Sequence, residues 1–392
     1  MGSDGAASGS AAGPASISTP ASDPAPAPSL VDWDLARKVA AGALILKPAP
    51  ATYRTAPLQS QFDELTARAE FLVTQSTGLK SAHGAARAKV VDRAGWATAN
   101  VRSMQRLVGS ALTVRETDKG PRLGKHALAV GQVATGTQLG LMLAYMATRV
   151  LGQYDLLISE EDPADQDLVS YVGPNVTAIE ERYGFAPNEF RLWLALHEVT
   201  HRMQFTAVPW LRDHFVALVS EVLEPLHADP QNLLDTIRRV VDEVRAGHNP
   251  LRENGVAGLL ATPEQRLAIG RISGMMSLLE GHGDVVMDRA GAAEVPGAAG
   301  FSKVLHDRRT NPRGLARFMN RLLGMEAKMR QYAEGEKFVQ AVEAAGGPEL
   351  LARVWRGPEW LPTLEEIRTP GDWVARAGGA AVALNGLNGG GA

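Results

Sequence analysis

The chain has 392 residues, of which 45% are hydrophobic and 21% are charged, a composition typical of a soluble globular protein with one large or two fused domains. Its 40 basic and 43 acidic residues give a net charge of −3, which offers no electrostatic reason to expect nucleic acid or an anionic membrane as a partner. Cysteine is absent, which excludes a disulfide framework, a thiolate metal site and a cysteine nucleophile, and leaves histidine and carboxylate side chains as metal ligands.

Both ends of the chain have a biased composition. Residues 1–29 are rich in Ala, Gly, Ser and Pro and contain no basic residue, so they predict a disordered tail rather than a secretory signal. Residues 378–392 are rich in Gly and Ala and predict a second disordered tail. We therefore expect one ordered domain over residues 30–377, in a protein located in the cytoplasm.

Helical periodicity dominates the first part of this domain. It predicts helices over Trp33–Leu46, Leu58–Gly78, Ala86–Val114 and His126–Leu151. The last of these contains the uncharged stretch Ala127–Thr148, which includes Gly136-x-x-x-Gly140 and is long enough to span a bilayer. Polar residues in its middle, such as Gln132 and Gln138, favour instead a buried helix that small residues allow close to its neighbours.

Two short segments rich in β-forming residues follow, Asp155–Ser159 and Leu168–Val172. Acidic residues or a Gly-Pro turn bound each of them, as expected for short strands. They predict a small β hairpin or edge sheet close to the next helix. Because no other strand signal is evident, the fold class predicted for the chain is mainly α.

That next helix carries the sequence His197-Glu198-Val199-Thr200-His201, a match to H-E-x-x-H. Pro187 lies where a helix start is expected, and Pro209 limits its length. Residues four apart share one helix face, so His197 and His201 can bind one metal ion, for which two neutral imidazoles favour Zn2+. Glu198 is then placed to act as general base toward a zinc-bound water.

Further helices are predicted downstream of the motif. They cover Trp210–Leu226, Pro230–Arg245, Pro263–Asp288, Pro312–Ala345 and Pro348–Trp355. The third of these contains Gly281 and Gly283, which destabilise a helix and therefore indicate a packing or functional reason nearby.

A catalytic zinc needs a third protein ligand. The metzincin pattern is excluded, because Gln204 and Ala207 occupy the positions of its glycine and third histidine. Glu280 is the best candidate, with Asp284 one turn later on the same face to accept the free N–H of a ligating histidine. His282 and Asp284 remain alternative ligands, although His282 lies about 200° around the helix from Glu280.

Hydrolysis of an amide also requires a hydrogen-bond donor for the oxyanion that develops in the transition state. Tyr332 is the preferred candidate, since a phenol can donate to an oxyanion. His306, His248 and Arg330 are the alternatives, and a tyrosine packed into a helical core is the competing interpretation of Tyr332.

With these residues in place, the chain resembles a zincin-like metallopeptidase family common in actinobacteria, whose members often carry a label referring to biosynthesis of the deazaflavin coenzyme. The matching stretches are Leu151–Asp155, Val172–Asn175, Phe190–Arg202, Leu279–His282, Gln331–Tyr332 with Gly335 and Phe338, and Leu361–Thr363. The resemblance implies a mainly helical zincin-like domain with His197 and His201 as ligands and Glu198 as catalytic base, and it is consistent with Glu280 as third ligand. The coenzyme label has no residue-level support here, since no Gly-rich nucleotide loop follows a strand.

The sequence thus predicts a zinc-dependent metallopeptidase acting on a peptide or protein, in which Glu198 activates a zinc-bound water for attack on an amide carbonyl. The alternative is a non-catalytic helical scaffold or binding protein that retains a vestigial zinc site. Structural zinc sites are usually rich in Cys, so the absence of cysteine counts against a purely structural metal. The pattern does not indicate the cleavage specificity or the oligomeric state.

Overall fold

The computed structural model describes residues 29–109, 125–154, 167–223, 263–310 and 325–378, and within these ranges the protein is mainly α-helical with one small sheet. The helices are α1 (Trp33–Ile45), α2 (Thr55–Thr77), α3 (Arg93–Val108), α4 (Lys125–Ala147), α5 (Gly173–Tyr183), α6 (Pro187–Ala207), α7 (Leu211–Leu223), α8 (Pro263–Gly291), α9 (Ala298–Thr310), α10 (Met325–Leu351), α11 (Leu364–Arg368) and α12 (Pro370–Arg376). The strands are β1 (Arg87–Val91), β2 (Gly152–Tyr154) and β3 (Leu168–Val172). The predicted fold class, mainly α with a small sheet, is confirmed.

Most of the predicted helices agree with the structure to within a few residues. They are α1, α2, α4, α6, α7 and α8. The predicted helix Pro230–Arg245 and the start of the helix at Pro312 lie outside the described residues. The predicted helix Pro348–Trp355 is wrong in its second half, because α10 ends at Leu351 and a 3-10 turn, Ala352–Trp355, follows.

The helix predicted over Ala86–Val114 is wrong in its first part. Residues Arg87–Val91 form β1, and α3 begins only at Arg93, where the Asp92 side chain accepts a hydrogen bond from the backbone N–H of Gly95. β1 pairs in parallel with β3, which follows it by some eighty residues in the register Arg87↔Leu168. Helical periodicity cannot detect such a long-range pairing, so tertiary structure overrides the local pattern.

The sheet has the strand order β1-β3-β2, with β3 in the centre and buried along its whole length. Strand β3 is the predicted strand Leu168–Val172, which is confirmed. It pairs with β2 in antiparallel register, Gly152 opposite Tyr171. The second predicted strand, Asp155–Ser159, lies outside the described residues, and the observed strand β2 ends one residue before it. The sheet packs against α2, where Tyr171 stacks on Phe62 with ring centroids 3.8 Å apart.

Helix α4, which contains all but the last residue of the uncharged stretch, packs along α1 through its glycines. A Cβ atom on Gly136 would lie 2.5 Å from the carbonyl oxygen of Asp32, and one on Gly140 would lie 2.6 Å from that of Ala36. The glycines therefore allow close helix packing, as predicted, but only one face is buried: Val130 is 70% exposed and Leu141 is 51% exposed. Among the described residues, we find no helix with the length and apolar character needed to cross a bilayer.

Two helices that carry polar side chains, α6 and α8, pack against each other. Helix α6 buries Phe190, Leu196 and Val199 in a hydrophobic cluster that includes residues of α2, α8 and the sheet. On its other side α8 touches α10, and two glycines allow this contact: a Cβ on Gly281 would lie 2.1 Å from the carbonyl carbon of Gly335. Gly281 therefore has the packing role that the sequence predicted for a glycine in this helix.

Candidate metal centre

The two histidines of the motif lie on one face of α6, as the four-residue spacing requires. Their Nε2 atoms are 3.2 Å apart, and the two rings are nearly perpendicular with centroids 4.6 Å apart. Leu196 and Val199, on the opposite side, are fully buried and fix the rotation of the helix. The motif thus presents two imidazole nitrogens toward the same point in the interface with α8.

Glu280 approaches this point from α8. Its Oε2 atom lies 3.8 Å from Nε2 of His197 and 3.8 Å from Nε2 of His201. The three side chains are 17%, 14% and 23% exposed for His197, His201 and Glu280 respectively. Ligand atoms of a tetrahedral zinc site with bonds of about 2.0–2.1 Å are about 3.3 Å from one another, so this set of donors fits a zinc ion with one position left open.

The carboxylate of Glu198 lies beside the cluster and against the sheet. The residue is 7% exposed. A Cβ atom on Gly152, in the edge strand β2, would lie 2.7 Å from Oε1 of Glu198. The missing side chain at Gly152 is therefore what allows this carboxylate to lie between α6 and the strand.

Asp284 and His282, the alternative third ligands, occupy other positions than the Glu280 carboxylate. Oδ1 of Asp284 is 3.6 Å from Nδ1 of His197, on the far side of the ring from Nε2 and beyond hydrogen-bond distance. His282 is 5% exposed, and its Nδ1 lies 3.0 Å from Nε2 of Gln204. Its ring packs edge-on against Trp355, and burial lowers its pKa to about 3, with the charges of His201 and Arg289 acting in the same direction. The described residues that converge within 4.8 Å as possible metal ligands are His197, His201 and Glu280.

Negative charge surrounds the imidazole of His201. Burial lowers the pKa of His201, but the nearby carboxylates of Glu280 and Glu198 outweigh burial and hold this pKa above its ordinary value. The hydrogen bond with Gln204 and the charge of Asp284 act in the same direction. A cation placed between the imidazoles and Glu280 would therefore be electrostatically favoured.

The candidates for an oxyanion donor are only partly within the described structure. His248 lies outside the described residues, and Arg330 and Tyr332 lie in α10 at positions whose side chains are not described. His306 lies on the exposed surface of α9. The assignment of the donor therefore stays a prediction.

Sequence reasoning did not identify the roles of Gln204 and Gly152. Gln204 is fully buried and contacts His201, and its position three residues after that histidine was a signal of a shared helix face. Gly152 gave no local signal, because its contact with Glu198 joins two elements that are distant in sequence. Gly283, which the sequence did mark, faces the centre: a Cβ there would lie 3.3 Å from Cε1 of His201.

The chain is similar to known proteins. The zincin-like metallopeptidase family model matches residues 31–374. A crystal structure from Chloroflexus aurantiacus, described as "a putative hydrolase with a novel fold", is similar with a TM-score of 0.64 and 30% sequence identity, over 88% of this chain and 98% of that one. A comparison with curated proteins found no match. Neither similarity supports an actinobacterial origin or a link to the deazaflavin coenzyme. Because the family model covers most of the chain, the protein belongs to the zincin-like metallopeptidase family, whose members hold a metal ion, typically zinc.

Proposed function

We propose that the protein is a zinc-dependent peptidase in which His197, His201 and Glu280 hold the metal and Glu198 is the general base. One observation carries this proposal: three ligand atoms from two helices converge at mutual distances of 3.2–3.8 Å, next to a buried carboxylate. Membership of a metallopeptidase family supports hydrolysis of a peptide or protein. The donor set supports zinc, because two imidazoles and one carboxylate are a known catalytic combination that leaves a fourth position open.

The reaction that follows from this arrangement is hydrolysis of an amide bond. When bound, zinc polarises the substrate carbonyl and lowers the pKa of a bound water to about 7. Glu198 accepts a proton as the water oxygen bonds to the carbonyl carbon, and it delivers that proton to the amine nitrogen when the C–N bond breaks. The contact of Glu198 with Gly152 supports this role, because it holds the carboxylate beside the ligand pair rather than in bulk solvent.

Replacement of the base tests the mechanism. We expect Glu198→Gln to reduce hydrolysis of any peptide that the wild type cleaves by about 10²–10⁴-fold, the usual contribution of a general base, while zinc stoichiometry stays that of the wild type. The matched control is Glu64→Gln, which removes an exposed carboxylate on α2 and should change neither quantity. Full activity of Glu198→Gln would overturn the mechanism. A wild type that binds zinc but cleaves nothing in a broad peptide screen would favour a non-catalytic zinc-binding protein.

The third ligand has its own test. We expect Glu280→Ala to lose bound zinc after dialysis, because it removes the carboxylate that faces both Nε2 atoms. Asp284→Ala should retain zinc, since its carboxylate lies on the far side of the His197 ring. The measurement is zinc content by atomic absorption for Glu280→Ala, Asp284→Ala and His282→Ala. Loss of zinc in His282→Ala together with retention in Glu280→Ala would contradict the assignment.

A further inference from the structure

Gln204 is a fully buried polar residue between the two helices of the candidate metal centre. It follows His201 by three residues on the same face of α6. Its side-chain oxygen Oε1 lies 2.9 Å from Nδ1 of His201, and its Nε2 lies 2.9 Å from the carbonyl oxygen of Leu279 in α8. The amide therefore joins one metal-centre histidine to the backbone of the other helix, directly before Glu280.

The contact with Leu279 determines which way the amide is oriented. A backbone carbonyl oxygen can only accept a hydrogen bond, so the group that faces it must be the NH2 of Gln204. The Oε1 atom must then face His201, and because this oxygen can only accept, Nδ1 of His201 must carry the proton. The neutral ring that satisfies this contact has its lone pair on Nε2, the atom that faces His197 and Glu280.

The second N–H of the Gln204 amide also donates a hydrogen bond. Nε2 of Gln204 lies 3.0 Å from Nδ1 of His282, which must therefore accept. His282 is almost completely buried, and its ring is held against Trp355. The Gln204 amide thus makes three directional hydrogen bonds, and reversing it would place its oxygen, which can only accept, opposite the carbonyl oxygen of Leu279.

We infer that Gln204 is a positioning residue that fixes His201 as the Nδ1–H tautomer and holds it in register with Glu280. The importance of this role for metal binding rests on the proposed zinc site, whereas the tautomer itself is a property of the metal-free chain. Groups that orient a ligating histidine in this way commonly change metal affinity by about 10–100-fold when they are removed.

The first experiment measures the tautomer directly. The metal-free protein is labelled isotopically at its nine histidines, and ring nitrogen NMR shifts are recorded at a pH well above the ordinary histidine pKa of about 6.5. His201→Asn identifies the resonances of His201 by their loss. We expect wild-type His201 to be the Nδ1–H form and Gln204→Met to show a mixture of both forms. A wild-type His201 protonated on Nε2 would overturn the inference, and it needs neither zinc nor a variant of Gln204 to be seen.

The second experiment measures zinc affinity by competition with a chelator. We expect Gln204→Met to bind zinc about 10–100-fold more weakly than wild type. The control is Gln265→Met. It removes a buried glutamine that lies in α8, about 22 Å along that helix from Glu280, and it should leave the zinc affinity unchanged. Affinity of Gln204→Met within twofold of this control would overturn the role in metal binding.

His282 provides a check that does not depend on the folding of Gln204→Met. His282→Leu removes the acceptor for the second amide hydrogen and should weaken zinc binding, whereas His282→Asn places an amide oxygen near the same point and should restore most of the affinity. Equal affinities of the two variants would contradict the inference. If the wild type binds no zinc at all, the proposed function fails, while the tautomer measurement still tests Gln204.

Discussion

Helix α6 carries two polar networks on opposite sides, and they differ in the way their charges are satisfied. His201 faces α8 and the candidate metal centre, whereas the next residue, Arg202, points the other way into the interior. Arg202 is fully buried, and it donates to Glu70, to Asp167 and to the carbonyl oxygen of Gly84 at 2.5–3.0 Å. Its positive charge is therefore balanced by the fold itself.

The histidine side is different, since its ring nitrogens and the Glu280 carboxylate bring acceptor atoms together. Nε2 of His201 lies 3.2 Å from Nε2 of His197 and 3.8 Å from Oε2 of Glu280, in a partly exposed position. A cation placed between these atoms would be electrostatically favoured, whereas the Arg202 network contains its own cation. Adjacent polar residues of one helix therefore lie in a charge-balanced buried network on one side and in a candidate metal centre on the other.

Removing the positive charge of Arg202 from its buried network should have the largest effect on stability. Arg202→Met removes the cation that pairs with Asp167 and Glu70, and we expect the free energy of unfolding to fall by about 3–5 kcal/mol in urea titrations of the metal-free protein. The control is Arg68→Met, which removes the cation of a surface pair with Glu294 and should cost far less stability, because solvent screens that pair. Equal losses for the two variants would break the comparison.

On the other side of α6, replacing His201 should affect zinc binding more than stability. His201→Asn should weaken zinc binding by more than about 100-fold, because even the loss of a group that only orients a ligand costs about 10–100-fold. The same change should lower the unfolding free energy of the metal-free protein by about 1–3 kcal/mol, the cost of leaving the buried Gln204 oxygen without its donor, and therefore by less than Arg202→Met. Chelator competition and urea titration give the two quantities. A large stability loss without a change in affinity would show that His201 is structural.

The substitution Gly283→Ala should weaken metal binding without lowering the stability of the protein. A Cβ at this position would lie 3.3 Å from Cε1 of His201, so Gly283→Ala should displace the ring and weaken zinc binding several-fold. Alanine is favoured over glycine in a helix by up to about 1 kcal/mol, so the metal-free protein should lose no stability. The matched control is Gly270→Ala on the same helix, where an added Cβ meets nothing within 4 Å. Equal zinc affinity in both variants would mean that the ring can move freely.

The smallest effect is expected for an ion pair near the end of the described chain. Burial raises the pKa of Glu366, but hydrogen bonds from Arg376 and from Thr363 outweigh it and hold this pKa below its ordinary value. A lowered pKa stabilises the fold above the unfolded-state value of about 4.3, and this contribution is lost as the pH falls through the folded-state value.

Glu366→Gln should therefore be less stable than wild type at neutral pH by no more than about 1 kcal/mol, and the difference should vanish in acid. Urea titrations at several pH values measure it. A difference that grows as the pH falls would reverse the sign of the predicted linkage. A loss at neutral pH as large as that of Arg202→Met would remove the distinction between buried and surface networks.

Local periodicity explains how much of the fold was predictable. Helices such as α6 and α8 were found because apolar residues repeat at helical spacing and proline or glycine marks their ends. Strand β1 was missed because it is stabilised by pairing with β3, a partner far along the chain. The short helices α5, α11 and α12 were also missed, since short helices depend on packing more than on their own propensity.

The candidate site was likewise predictable only in part. From the four-residue spacing alone, His197 and His201 share one face of a helix, and Glu280 and Asp284 share a face of another, because four residues make about one turn. That these two faces meet, with Glu280 rather than His282 directed at the two histidines, depends on the packing of helices that are distant in sequence. Glycines let α8 fit between α10 and α6, and the Gln204 amide joins the two helices of the candidate metal centre.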